Sequence, residues 1–170
     1  KVPRIFFYAR PPTPRRAFDL GILVLSTLAR RHPDIAICMA GWDLGNYVIP
    51  FPAQTAALLS LDKLSDLYSQ CDAALVVSLT NASLLPLELM ASGCLVVSNR
   101  GRNVEWLLND DVAVLVEPRM ESLVEGLEKA VYDVDLHDRL VENALRKVTA
   151  TSWTKEAEKM AALFRALEAG

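Results

Sequence analysis

Short apolar runs alternate with longer amphipathic stretches along almost the whole chain. Ile5 to Tyr8 is an unbroken β-rich run and predicts a strand. From Ala17 to Arg31 the apolar positions Ala17, Phe18, Gly21, Ile22, Val24, Leu25 and Leu28 recur at helical spacing, which predicts a helix. Thr13 is its expected N-cap, with Pro14 at the first helical position. Arg30, Arg31 and His32 close it ahead of Pro33, where positive charge suits the helix dipole. Ile35 to Ala40, ended by Gly41, reads as the next strand.

The stretch Trp42 to Thr55 holds Gly45, Pro50 and Pro52 and reads as loop, with a short strand expected at Tyr47 to Ile49. Leu58-Leu59 is a further strand candidate, and Ser60 to Lys63 opens a helix running to Cys71. Ala73 to Val77 is continuously apolar, the pattern of a central parallel strand. A helix over Leu84 to Ser92 stops at Gly93, and strands follow at Leu95 to Val97 and Val112 to Val116. Three helices complete the chain: Glu121 to Tyr132, Leu136 to Val148 and Trp153 to Leu167. This alternation predicts an α/β fold, a doubly wound, Rossmann-like parallel sheet of about six strands with helices on both faces. Ligands of such sheets sit at the C-terminal ends of the strands, so chemistry is sought in the strand-to-helix loops.

Composition narrows the picture without changing it. With 170 residues, 52% of them hydrophobic and 23% charged, residues 1–170 are expected to form one domain with a sizeable core. A net charge of -3 excludes a general nucleic-acid binder but not a small anion held by local arginines. Cys38, Cys71 and Cys94 are widely spaced among apolar neighbours and read as buried reduced thiols. His32 and His137 are far apart, and no Cys/His spacing supports a metal site. No apolar run approaches the ~18 residues of a membrane span, and no signal peptide opens the chain. Lys1-Val2-Pro3 leads directly into the first strand without an initiating Met, which reads as a piece of a longer protein.

Two loops carry candidate chemistry. Ala9 to Arg16 places Arg10, Arg15 and Arg16 between the first strand and first helix, where guanidinium groups and free amides could hold an anion. The bland alternative is a solvated basic turn. Ser78 to Ser83 follows the most apolar strand, with Ser83 the expected N-cap of the next helix and Pro86 in its first turn. Glu88 is the only charge between Asp72 and Arg100, in a segment fit for burial; it is expected to need partners, sugar hydroxyls or a structural salt bridge. No glycine-rich dinucleotide or P-loop pattern is present. Trp42, Trp106 and Trp153 read as packing residues, Trp42 lying nearest the site. Asn99, Arg100, Arg102 and Asn103 lie on another strand-end loop and could border a bound ligand, but read first as a turn with solvated charges.

The stretch "SLTNASLLPLELMASGCLVVSNRGRNVEWLL" resembles the donor-binding segment of retaining, group 1 glycosyltransferases of the GT-B fold. Glu88, Met90 to Gly93 and Val96-Val97 match the second half of that family's pattern. "FYARPPTPRRAFDLG" resembles its Gly-Arg…Lys-Gly loop, with Arg10 on the Arg position and Arg16 on the Lys position. "LSLDKLSDLYSQCDAALVVS" and the late Ser152-Trp153 extend the resemblance over nearly the whole chain. Within the family, "YARP…RRAF" and "PLE" look closest to bacterial enzymes that build rhamnose-containing surface glycans.

The resemblance implies one half of a GT-B enzyme, the C-terminal domain that binds a nucleotide-diphosphate sugar as substrate, with no cofactor. Arg10 and Arg16 would bind the diphosphate and stabilise the leaving group, aided by Arg15 and by amides near Ser83, Leu84 and Leu85. Glu88 would accept hydrogen bonds from the ribose. The family's first Glu falls on Thr80 and its glycines on Asn81 and Ser83, so Thr80 and Asn81 would orient the sugar differently, or a deoxy-sugar would need fewer contacts. Ala57 stands where the family has a glycine, which leaves the nucleobase contact open. The expected partner is an N-terminal acceptor domain of the same protein, toward which the helix over 152–168 would pack. The expected location is cytoplasmic, with membrane contact only through the full-length protein. The competing reading is a non-catalytic binding module that kept the half-fold; an unrelated receiver-like domain fits poorly, because arginines occupy the place of its acidic cluster.

Overall fold

Ile5, Phe6 and Phe7 are all buried, so β1 (Arg4–Tyr8) can only be a central strand covered on both faces. The structure is a computed structural model that describes residues 2–168; Lys1, Ala169 and Gly170 of the expected single unit lie outside the described residues. β1 is flanked in parallel by β2 (Ala36–Ala40) and β4 (Ala73–Val76), with Phe6 between Cys38 and Ala74 and Phe7 between Met39 and Leu75. With β3 (Gln54–Thr55), β5 (Leu95–Asn99) and β6 (Val114–Val116) they form a six-stranded, all-parallel sheet of order β3-β2-β1-β4-β5-β6. The strand order reverses between β1 and β4, and the loops leaving these two strands therefore open a crevice.

One face of the sheet is covered by α1 (Phe18–Arg31) and α5 (Met120–Tyr132), whose Leu25, Leu28, Leu123, Val124 and Leu127 pack on Phe7 and its neighbours. The other is covered by α2 (Leu61–Ser69), α3 (Leu85–Ala91) and the short α4 (Arg102–Glu105), through Tyr68, Leu89, Met90 and Val104 around Phe6. α6 (Val134–Thr149), capped by the Asp133 side chain on the Leu136 N–H, joins both clusters through Leu140 and Ala144. Gly93, at φ +73°, ends α3 in the left-handed conformation that glycine adopts without strain. Gly21 has a different reason: a Cβ there would meet the Phe7 ring at 2.2 Å, so α1 lies on β1 at a distance only glycine allows.

Several expectations are corrected. Thr13 does not cap α1: Pro14–Arg16 form a separate 3-10 turn, Ala17 at φ 48° breaks the chain direction, and α1 starts at Phe18. Tyr47–Ile49 and Leu58-Leu59 are not strands; the edge strand is Gln54–Thr55, two exposed residues that pair with Cys38 and Met39. Val112 and Ala113 belong to a turn before β6. Trp106 and Trp153 are 65% and 79% exposed rather than packed. α7 (Trp153–Glu168) buries no residue, and Trp153, Met160, Leu163, Phe164 and Leu167 stand exposed on it.

Two stability outcomes follow from this packing. Gly21→Ala gains helix propensity but drives a methyl into a fixed ring; a net loss of about 1–3 kcal/mol is expected, a fall of roughly 3–10 °C in thermal midpoint. An unchanged or higher midpoint means Phe7 has room to move. A chain ended at Thr151 is expected to unfold within about 2 °C of the parent, because α7 contributes no buried side chain; a larger drop means α7 is held to the domain.

Candidate functional site

The loops after β1 and β4 meet across the switch point through two bonds: the Leu79 N–H donates to the Arg15 carbonyl at 2.9 Å, and Arg16 Nη2 donates to Ser83 Oγ at 2.7 Å. Between them lies a cleft of about 520 Å³ lined by Tyr8, Arg10, Thr13, Arg15, Arg16, Leu61, Leu64, Tyr68, Ser83, Leu84, Leu85 and Glu88. Three cations face one carboxylate there, so the cleft is a positive site in a chain of net negative charge.

Arg16 is the centre of the arrangement. The 3-10 turn aims it inward, where it is 8% exposed and its guanidinium carbon lies 5.6 Å from the Tyr8 ring centroid. Its Nη1 is the one buried side-chain polar atom among the described residues without a hydrogen-bond partner. Burial, and after it the neighbouring Arg15 charge, lowers the Arg16 pKa from its ordinary value, although an arginine keeps its proton in proteins. A buried, charged donor left without an acceptor is costly, and an anion in the cleft removes that cost. Arg10 is exposed, donating to the Tyr8 hydroxyl at 3.4 Å with its guanidinium carbon 6.0 Å from the half-buried Trp42 ring. It can swing onto a ligand without leaving a buried site.

Ser83 sits at φ +58°, which turns its hydroxyl toward Arg16 and, at 3.5 Å, toward the Leu85 N–H. It precedes the helix by more than was expected: the N-cap position belongs to Leu84. The Ser83 amide is occupied by Asn81 Oδ1 at 2.5 Å, so the hydroxyl and guanidinium, rather than that N–H, are the groups this loop presents. Thr80 and Asn81 are exposed on the rim and do not line the cleft, whereas the other expected residues, Arg10, Arg15, Arg16, Ser83, Leu84, Leu85 and Glu88, are brought together in it.

Glu88 is exposed, not buried, because in α3 the inward positions are Leu85, Pro86, Leu89 and Met90 and Glu88 faces the cleft. The Tyr68 phenol is its side-chain neighbour, and its exposure leaves the carboxylate accessible to a ligand. Tyr68 across from it was missed by sequence reasoning; burial, and then the Glu88 charge, raises its phenol pKa. Tyr8, also missed, could have been read from its place at the C-terminal end of a central strand. Asn99 is buried and Asn103 half-buried, so that turn is not simply solvated; Arg100 does pair with Glu105 and Asp110 at the surface.

Comparison with known proteins bears on this geometry. A family model described as "WsaF, C-terminal domain" matches residues 3–128. The O-antigen biosynthesis protein RfbC of Myxococcus xanthus is 35% identical over 162 residues, which are 92% of this chain and 13% of that protein. The chain therefore spans a small part of this relative. Among solved structures, sucrose-phosphate synthase of Thermosynechococcus elongatus matches with a TM-score of 0.80 at 20% identity, over 99% of this chain and 46% of that one. HepE of Anabaena, solved in complex with UDP and glucose, gives 0.79 at 14% identity, over 96% of this chain and 48% of that one. The C-terminal domain of a group 1 glycosyl transferase, LpcC of Francisella tularensis, gives 0.73 at 17% identity, over 88% and 85% of the two chains. These likenesses fix the fold as one half of a GT-B architecture, and the match over residues 3–128 shows that the chain belongs to the WsaF C-terminal domain family.

Proposed function

We propose that this domain binds a nucleotide-diphosphate sugar and, in the full-length protein, serves as the donor half of a retaining hexosyltransferase that builds bacterial surface polysaccharide. The observation that carries the reading is the partnerless Nη1 of buried Arg16 in a positive cleft at the switch point. A diphosphate offers oxygens to that Nη1 and to exposed Arg10 at once, in forked, charge-assisted bonds. Glu88, exposed at the cleft wall, accepts from the ribose hydroxyls. The complex of HepE with UDP and glucose and the O-antigen role in the name of RfbC support the same reading.

In the reaction, the bond from the anomeric carbon to the diphosphate oxygen breaks as the acceptor hydroxyl oxygen bonds to that carbon and its proton passes to the departing diphosphate. Negative charge grows on the departing phosphate, and Arg16 and Arg10 are held where they stabilise it. Thr80, at the position of the family's first Glu, lies on the rim outside the cleft lining, so the sugar meets no carboxylate from that position. Together with the "YARP…RRAF" loop this favours a deoxy-sugar such as rhamnose as the transferred group. The exposed apolar row of α7 is the surface offered to the acceptor domain, and the cytoplasm is the compartment where nucleotide sugars are made available to it. No helix among the described residues is long and apolar enough to cross a membrane.

The test is thermal shift with UDP, GDP, ADP and dTDP and their sugars, on the parent, Arg16→Ala and Glu88→Ala. One nucleotide at ~1 mM is expected to raise the parent midpoint by about 3–5 °C, as for a Kd on the order of 0.1 mM. Arg16→Ala should abolish the shift. Glu88→Ala should weaken the ribonucleotide about tenfold while leaving inorganic pyrophosphate binding unchanged, the loss of one or two charge-assisted hydrogen bonds. Equal shifts in parent and Arg16→Ala would sink the diphosphate assignment, and a full-length protein that binds no nucleotide would favour the non-catalytic module.

A further inference from the structure

β4 ends at Val76 and its neighbour β5 ends at Asn99, yet the polar backbone of Ser78 beyond them is buried. The Asn99 side chain serves it. Asn99 Oδ1 accepts from the Ser78 N–H at 2.8 Å, and Nδ2 donates to the Ser78 carbonyl at 3.0 Å and to the Arg100 carbonyl at 3.1 Å. Asn103 Nδ2 donates to the same Ser78 carbonyl at 2.6 Å, and the Asn103 carbonyl takes the Ala82 N–H at 3.1 Å. Ser78 and Asn99 are 1% and 3% exposed, so water does not compete. A primary amide carries a peptide's donor and acceptor, and here it adds one rung to the β4–β5 ladder where no strand is left.

The consequence runs outward along bonded groups. Fixed in this way, Ser78 donates its hydroxyl to the Asn81 carbonyl and accepts the Asn81 N–H at 3.2 Å. Asn81 Oδ1 takes the Ser83 N–H at 2.5 Å, and Ser83 Oγ takes Arg16 Nη2 at 2.7 Å. We infer that Asn99 is a positioning residue for the donor loop: it touches no ligand, but through Ser78, Asn81 and Ser83 it sets the direction in which Arg16 presents its partnerless Nη1. The inference rests on the reading of the cleft as a diphosphate site.

Asn99→Asp is the discriminating variant. It keeps the acceptor for the Ser78 N–H and replaces the donor with an oxygen facing two carbonyls. The introduced carboxyl, buried among acceptors, favours its protonated form, so its pKa is raised. The loop is then held at low pH and released as pH rises through that raised value. The charged groups around it are Arg100, Glu105 and Asp110, joined in one surface cluster, with Glu117 after β6, Glu125 and Lys129 on α5 and Arg139 on α6 lining the same surface as Arg100. Only the Arg100 backbone carbonyl, and none of these charged side chains, is hydrogen-bonded to the Asn99 amide; the parent at both pH values controls for their titration.

Calorimetric titration of UDP, GDP, ADP and dTDP into the parent, Asn99→Asp and Arg16→Ala at about pH 5.5 and pH 8 reads the effect, with amide exchange of Ser78, Asn81 and Ser83 in the free chain beside it. Asn99→Asp is expected to bind within about threefold of the parent at the lower pH and at least about tenfold more weakly at the higher, with faster exchange of those amides. If Asn99→Asp is folded and keeps parental affinity at both pH values while Arg16→Ala loses binding, the positioning role is overturned and the donor reading stands. If Arg16→Ala binds like the parent, the donor reading fails, and the exchange of the loop amides alone decides whether Asn99 orders the loop. Should Asn99→Asp unfold at the higher pH, Asn103→Ala removes one bond to the Ser78 carbonyl from a half-buried site. It is expected to bind about threefold to tenfold more weakly at an almost parental midpoint, and unchanged affinity there counts against the role.

Discussion

β1 and β4 lie side by side and parallel, with Ile5 against Ala73, Phe6 against Ala74 and Phe7 against Leu75. At Ile5 and Phe6 a large side chain meets an alanine on β4, which leaves room for the helices that cover both faces. The chain leaves β1 toward β2 on one side and reaches β5 from β4 on the other. Divergence at this seam is what separates the two following loops and leaves a crevice between them. Every candidate residue is placed by it: the arginines by the loop after β1, Ser83 and Glu88 by the loop and helix after β4.

The free domain carries an unmet demand at that seam. Arg16 is buried with one side-chain hydrogen bond, to Ser83, and one nitrogen without a partner. Held by the 3-10 turn and by the left-handed Ala17 and Ser83, it stays pointed inward although solvation would be better outside. Strain and desolvation of this kind cluster where function requires fixed charge. A donor phosphate arriving there meets a site that has already been dried and oriented, which is the condition for strong electrostatic stabilisation of a leaving group.

The chain announced its layers well and its site unevenly. β1 and β4 were legible because strands buried on both faces are continuously apolar, and α1 and α5 because their apolar positions follow the helical period. The edge strand Gln54–Thr55 was not, since two exposed polar residues leave no pattern and only pairing with β2 defines them. The α1 start was misplaced because Pro14 does open a helical turn; nothing in the sequence says that Ala17 then reverses φ. Glu88 was read as buried from its apolar neighbours, but on a seven-residue helix the neighbours point inward and it does not. The arginines were found by residue type and loop position, whereas Asn99 was hidden, because an asparagine at a strand end looks the same whether it faces water or replaces a strand.

The seam between β1 and β4 also has a consequence for synthesis. β1 can pair with β2 once Ala40 has left the ribosome, but its other edge waits for Val76. At about 5–20 residues per second, the edge of this apolar strand stays open for roughly 2–7 s. During that interval the nascent chain offers Ile5, Phe6 and Phe7 to any strand that arrives first, including one from a neighbouring chain. The ligand cleft forms only once β4 has joined β1 and α3 has followed it, and the ability to bind becomes a report that the chain has paired with itself.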